Sequence, residues 1–126
     1  MTASSRAIEL ARAAAVAAAA KQAEEIIALD VSAQLALTDV FLIASGSSQR
    51  QVSAIVDAVE EALHPLGVSP VRREGKEGGR WVLIDFVDLV VHVLHQEDRG
   101  FYALERLWKD CPVVDLRLPA AAGATP

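Results

Sequence analysis

The chain has 126 residues, 52% of them apolar, and 12 Lys and Arg against 17 Asp and Glu give it a net charge of −5. That length fits one domain, able to bury a proper core without disulfides or a structural metal. The acidity disfavours the clustered cations that phosphate-backbone binding needs and suits a basic protein partner better, and the single cysteine, Cys111, followed by Pro112, excludes an intrachain disulfide and reads as core.

Alanines with Ile8, Leu10 and Val16 predict a first helix over 5–25, because alanine is the best helix former and leaves a shallow side for close packing. The run Ala11 to Ala20 is interrupted by Arg12 and too weakly apolar to span a bilayer, so a cytoplasmic protein without a leader is expected. The segment Ile26 to Val31 predicts a short strand. Val40 to Ala44, continuously apolar, predicts a strand at a sheet centre, entered through Thr38 and Asp39. Gly46, Ser47 and Ser48 end it, and Ser48 followed by Gln51 has the spacing of a capping box that opens helix two. Val52, Ile55, Val56, Val59 and Leu63 form the apolar stripe of that helix, which Pro65 and Gly67 terminate. Val68 to Arg73 predicts an edge strand, since Pro70 lacks an amide donor. Glu74 to Arg80 reads as a polar loop.

Trp81 to Phe86 and Leu89 to His95 predict an antiparallel hairpin with a two-residue turn at Phe86-Val87 or Val87-Asp88. In either register the pleat puts Trp81, Leu83 and Asp85 on one face with Val90, His92 and Leu94. Val82, Ile84, Val91 and Val93 form the other face, wholly apolar and therefore core. The last helix is predicted over Arg99 to Asp110, with Asp98 as N-cap, an apolar side of Phe101, Leu104, Leu107, Trp108 and Cys111, and Tyr102 and Glu105 turned elsewhere. One domain over 1–116, with its core in 26–116, and a disordered tail over 117–126 complete the reading. The order αββαβββα implies an α/β fold with helices on a mixed sheet of about five strands.

Three kinds of chemistry are weighed on these residues. His92 and His95, an odd number apart on a strand, point to opposite faces and cannot share an ion without a bulge, so no metal is expected despite Glu97 and Asp98 nearby. Ser45, Ser47 and Ser48 lie in a strand-to-helix turn but without a G-x-S-x-G elbow. Gly46-Ser47 is similar to the phosphate-cradling turn of nucleotidyltransferases, yet the close aspartate pair that holds magnesium is missing: helix two offers Asp57 alone, and Asp85 and Asp88 come later across a turn. What remains is an aromatic, an acid and an imidazole on one strand face beside a helix presenting Tyr102 and Glu105. Such a set fits an interface with aromatic anchors and a charged rim.

Several motifs together resemble the ribosomal silencing factors, also called the iojap-like family. They are L-D-V at Leu29 to Val31, T-D at Thr38 and Asp39, S-G-S-S-Q-R at Ser45 to Arg50, the run W-x-x-x-D-x-x-D-x-x-x-H from Trp81 to His92, and R-x-x-Y-x-L-E-x-L-W from Arg99 to Trp108. The resemblance implies a nucleotidyltransferase-like fold without catalysis or cofactor and a tendency to form homodimers. It also implies binding to the large ribosomal subunit through a ribosomal protein of the L-fourteen type. The small subunit would then be kept from joining and translation damped when nutrients are scarce. Of the family-type positions, the face analysis selects Trp81, Asp85, His92, Tyr102 and Glu105 as surface contacts, with Leu104 and Trp108 supporting or bordering them. Asp39, Gly46 and Ser48 read as structural. Val87 departs from the pattern, standing where many relatives place glycine or another small turn residue.

Overall fold

A computed structural model describes residues 2–75, 78–98 and 109–118. Helix α1 (Ser5–Ala20), strands β1 (Glu24–Asp30) and β2 (Val40–Gly46), helix α2 (Gln49–Leu63) and strands β3 (Arg72–Glu74), β4 (Trp81–Asp85) and β5 (Leu89–His95) follow in that order. The strands form one mixed sheet ordered β1-β2-β5-β4-β3. The β2–β5 pair is parallel and the other three pairs are antiparallel. The chain is thus α/β with helices on a five-stranded sheet. β2 and β5, buried almost throughout, are the apolar centre that their sequence calls for.

Both helices pack on one sheet face. Ala7, Leu10, Ala14 and Ala18 of α1 and Val52, Ile55, Val56, Val59 and Leu63 of α2 share a cluster with Val40, Leu42, Ala44, Val82, Ile84, Val91 and Val93. The small alanines let α1 approach sheet and α2 closely, and each strand contributes alternate residues, as the pleat requires. A smaller cluster on the opposite face joins Leu29, Val31, Ile43, Leu94 and Cys111, with Phe41 and Trp81 against it.

Helix α1 ends at Ala20, short of the predicted 25. Gln22 takes φ +65, and the Gln22 and Ala23 amides donate to the Ala19 and Ala18 carbonyls. This is a Schellman cap with glutamine at the left-handed position where glycine is commonest. Stopping there frees Glu24 and Glu25 for β1. The edge strand begins at Arg72, not Val68, although the Val71 amide already donates to the Asp85 carbonyl. Its three residues are exposed and charged, a short edge that discourages pairing with another chain.

Residues 96–98 are helical, so Asp98 lies within a helical turn instead of capping one. The rest of the predicted last helix falls outside the described residues, apart from Lys109 and Asp110, which form a turn. Residues 112–114 then run along β1: the Asp30 amide donates to the Pro112 carbonyl, Val113 bridges Leu29, and the Val114 amide donates to the Ala28 carbonyl. Leu116 and Leu118 pack against the larger cluster. The remainder of the expected tail, 119–126, is outside the described residues.

The β4–β5 hairpin closes over Val87 and Asp88, with the Phe86 amide donating to the Leu89 carbonyl. Val87 adopts φ +77, a left-handed conformation that costs a β-branched residue about 1–2 kcal/mol. Glycine removes that strain but loses about 0.5–1 kcal/mol to its freer unfolded state. Val87→Gly is therefore expected to stabilise the fold slightly, by up to about 1 kcal/mol, read as a higher urea midpoint with unchanged slope.

Candidate functional site

The second sheet face carries the residues singled out in the sequence. Register places Trp81 opposite Leu94, Leu83 opposite His92 and Asp85 opposite Val90, so Trp81, Asp85 and His92 do share a face. The Trp81 indole N–H donates to His92 Nδ1 at 3.2 Å. From the β2 side, the Phe41 ring meets the imidazole edge-on at 4.9 Å.

These neighbours enclose His92. Expected at the surface, it is only 6% exposed, because Phe41, brought alongside by the parallel β2–β5 pairing, and Trp81 cover it. Burial disfavours the charged ring and lowers its pKa to about 4. The neutral ring accepts at Nδ1, so its proton sits on Nε2, which is buried and, among the described residues, without a hydrogen-bond partner. His92 thus orients Trp81 from beneath, and Trp81, half-buried, reaches solvent. An open hollow of about 330 Å³ lies beside it, lined by Glu74, Gly75, Trp81 and Leu83.

Asp85 is partly committed within the chain. Its Oδ1 accepts from the Val87 amide at 2.8 Å, holding the hairpin turn, while Oδ2 stands 3.9 Å from the Arg72 guanidinium. The other four candidates, Tyr102, Leu104, Glu105 and Trp108, lie outside the described residues.

Sequence reasoning missed the neighbour of Trp81. Arg80 forms two hydrogen bonds to the Asp98 carboxylate and one to Glu97, while its carbonyl accepts from the His95 amide. The guanidinium holds the Asp98 carboxyl below its ordinary value. His95 Nδ1 accepts from the Glu97 amide and so caps the residues following β5, at 12% side-chain exposure. One arginine followed by an acidic pair was the available signal, but only the hairpin brings them together.

Two backbone amides at the Gly46–Ser48 turn and the start of α2 are bonded to side chains. The Gln51 amide donates to Ser48 Oγ, which is the N-cap half of the predicted box. The Gln51 side chain takes a different course: Oε1 accepts from the Ser47 amide and hydroxyl, and Nε2 donates to the Lys21 and Gln22 carbonyls. The Ser47 and Gln51 amides thus serve the chain's own side chains, and Gln51 clamps the end of α1 to the start of α2. Gln51→Ala is expected to cost about 2 kcal/mol of stability, several modest hydrogen bonds partly replaced by water, measured by chemical denaturation. Among the described residues no three His, Cys, Asp or Glu side chains are grouped to hold a metal. A larger hollow of about 410 Å³ between α2 and β3 has its guanidinium, Arg73, paired with Glu60.

The chain is similar to known proteins in sequence and in structure. Residues 4–125 match the family described as ribosomal silencing factor during starvation. The chain is 44% identical over 96 residues to a ribosomal silencing factor of Halalkalibacterium halodurans, covering 76% of this chain and 82% of that one. It is 33% identical over 91 residues to the mouse mitochondrial assembly of ribosomal large subunit protein 1, covering 70% of this chain and 40% of that protein. A crystal structure of a Chromobacterium violaceum protein superposes with a TM-score of 0.77 at 36% identity, covering 91% of this chain and 95% of that one. With the five-stranded sheet, Trp81, Asp85 and His92 on one of its faces and a family match over residues 4–125, the chain belongs to the ribosomal silencing factor family.

Proposed function

We propose that the protein binds the large ribosomal subunit through a ribosomal protein of the L-fourteen type and sterically blocks joining of the small subunit, repressing translation under nutrient limitation. It acts by occupancy and catalyses no reaction. The observation that carries this reading is the family match together with a solvent-reaching Trp81 seated on a buried imidazole. The name of the mouse relative, which refers to the large ribosomal subunit, supports the choice of subunit. Trp81 is the aromatic anchor, with the hollow beside it able to receive a partner side chain. Asp85, together with Tyr102, Leu104, Glu105 and Trp108, supplies the remaining contacts and rim, and His92 serves as a positioning residue beneath Trp81. The net charge of −5 suits a basic ribosomal protein, opposite charge steering the encounter. In the free state the protein pairs as a homodimer, in the cytoplasm; among the described residues no helix is long and apolar enough to cross a membrane.

Purified large subunits incubated with the protein and then offered small subunits give the test. The expected result is co-sedimentation with large subunits and a dose-dependent fall in joined ribosomes. A normal yield of joined ribosomes at saturating protein refutes the proposal.

A further inference from the structure

Three of the five exposed large aliphatic residues in the described regions gather at one end of the sheet. Leu37, 82% exposed, precedes β2; Val71, 67% exposed, precedes β3; Val87, 46% exposed, tips the β4–β5 hairpin. Backbone bonds tie the three segments together. The Asp88 carbonyl accepts from the Asp39 and Val40 amides, and the Asp85 carbonyl accepts from Val71. The Asp85 side chain in turn fixes Val87. The apolar groups are therefore held in place by the sheet, and one of them is held at the strained φ of +77.

The charges around them have mainly one sign. Asp39, Asp85 and Asp88 lie at this end, and the nearby cation Arg72 is engaged by Glu74 at 3.0 Å and faces Asp85. A phosphate backbone would be repelled here, and a second copy of the chain would bring aspartate against aspartate. A basic protein surface with aliphatic side chains satisfies both the apolar centre and the acidic rim.

We propose that the sheet end formed by Leu37, Val71 and Val87 and rimmed by Asp39, Asp85 and Asp88 is a docking surface for a basic protein of the large ribosomal subunit. The proposal rests on the ribosomal reading above and extends the contact from the Trp81 face around the end of the sheet.

The test uses purified large subunits and the full chain. A triple variant, Leu37→Ser, Val71→Ser and Val87→Gly, is expected to bind roughly tenfold more weakly. All three changes fall on exposed side chains and the third relieves strain, so a melting temperature no lower than that of the wild type separates lost contact from lost fold. Asp88→Lys is expected to weaken binding and to flatten its dependence on salt. Wild-type affinity in both variants, while Trp81→Ala loses binding, overturns the docking surface and leaves the ribosomal reading standing. A triple variant that turns a dimer into a monomer with subunit binding unchanged also overturns it, making this end a self-association surface. If wild-type protein fails to co-sediment at all, the ribosomal reading falls and this inference falls with it.

Discussion

Lowering the pH from 7 to 4 is expected to destabilise the fold by about 3 kcal/mol through His92 alone. The folded-state pKa is depressed, from 6.5 to about 4, by burial. Between those values the unfolded chain binds a proton that the native chain does not, so unfolding is favoured progressively as the pH falls through this window. Above pH 6.5 the penalty is absent. Asp30 acts in a lower range: burial pushes its carboxyl up, but hydrogen bonds from Ser32 and Ala3 outweigh that and leave it below its ordinary value. Its contribution is lost only as the pH falls below about 4. Urea unfolding at a series of pH values, wild type against His92→Gln, isolates the histidine. The wild-type curve should steepen between pH 6.5 and 4, and the variant, whose amide oxygen can still accept from Trp81 but cannot titrate, should be flatter there. Parallel curves would show that His92 titrates with an ordinary pKa and that its enclosure by Phe41 and Trp81 has been misjudged.

Trp81→Ala is expected to weaken binding to large subunits by about 2 kcal/mol, roughly thirtyfold in Kd. A half-buried indole beside an open hollow has the area of an anchor, and its N–H bond to His92 fixes its orientation before a partner arrives, which lowers the ordering cost of association. The alanine variant also leaves His92 Nδ1 without its donor, so some stability is lost as well. Trp81→Phe separates the two effects. It keeps a ring on the face but removes the N–H, so it should retain more of the binding than alanine while sharing the loss of the hydrogen bond. If both variants bind large subunits as tightly as wild type, with circular dichroism unchanged, Trp81 is not a contact.

The hairpin faces were legible because period-two alternation is local: Trp81, Leu83 and Asp85 fall together whichever turn is chosen, and the turn proves to be Val87-Asp88. Helix α2 was equally legible from its stripe and its Ser48 cap. Interactions between segments distant in sequence escaped. Nothing near His92 announces that Phe41 will lie beside it, since parallel pairing brings in a strand from far earlier in the chain. The end of α1 was overrun because alanine propensity runs on past the point where Gln22 turns left-handed and Gln51 takes the freed carbonyls. The Arg80–Asp98 pair belongs to the same class. Of the candidate site, the shared face was readable and the depth of each residue in it was not: alternation assigns sides, while burial depends on what the neighbouring strand carries.

The segment 112–114 laid along β1 bears on how the molecule is made. Arg12 of α1 reaches the Asp115 carbonyl across 103 residues of sequence, and β2 pairs with β5 only after an intervening helix and two strands. Such contacts have high sequence separation, and closing them late slows folding relative to a helical bundle of similar size. On a translating ribosome, β1 keeps an open edge until residues 112–114 have been synthesised, so that edge is covered late in synthesis and is exposed to other nascent chains until then.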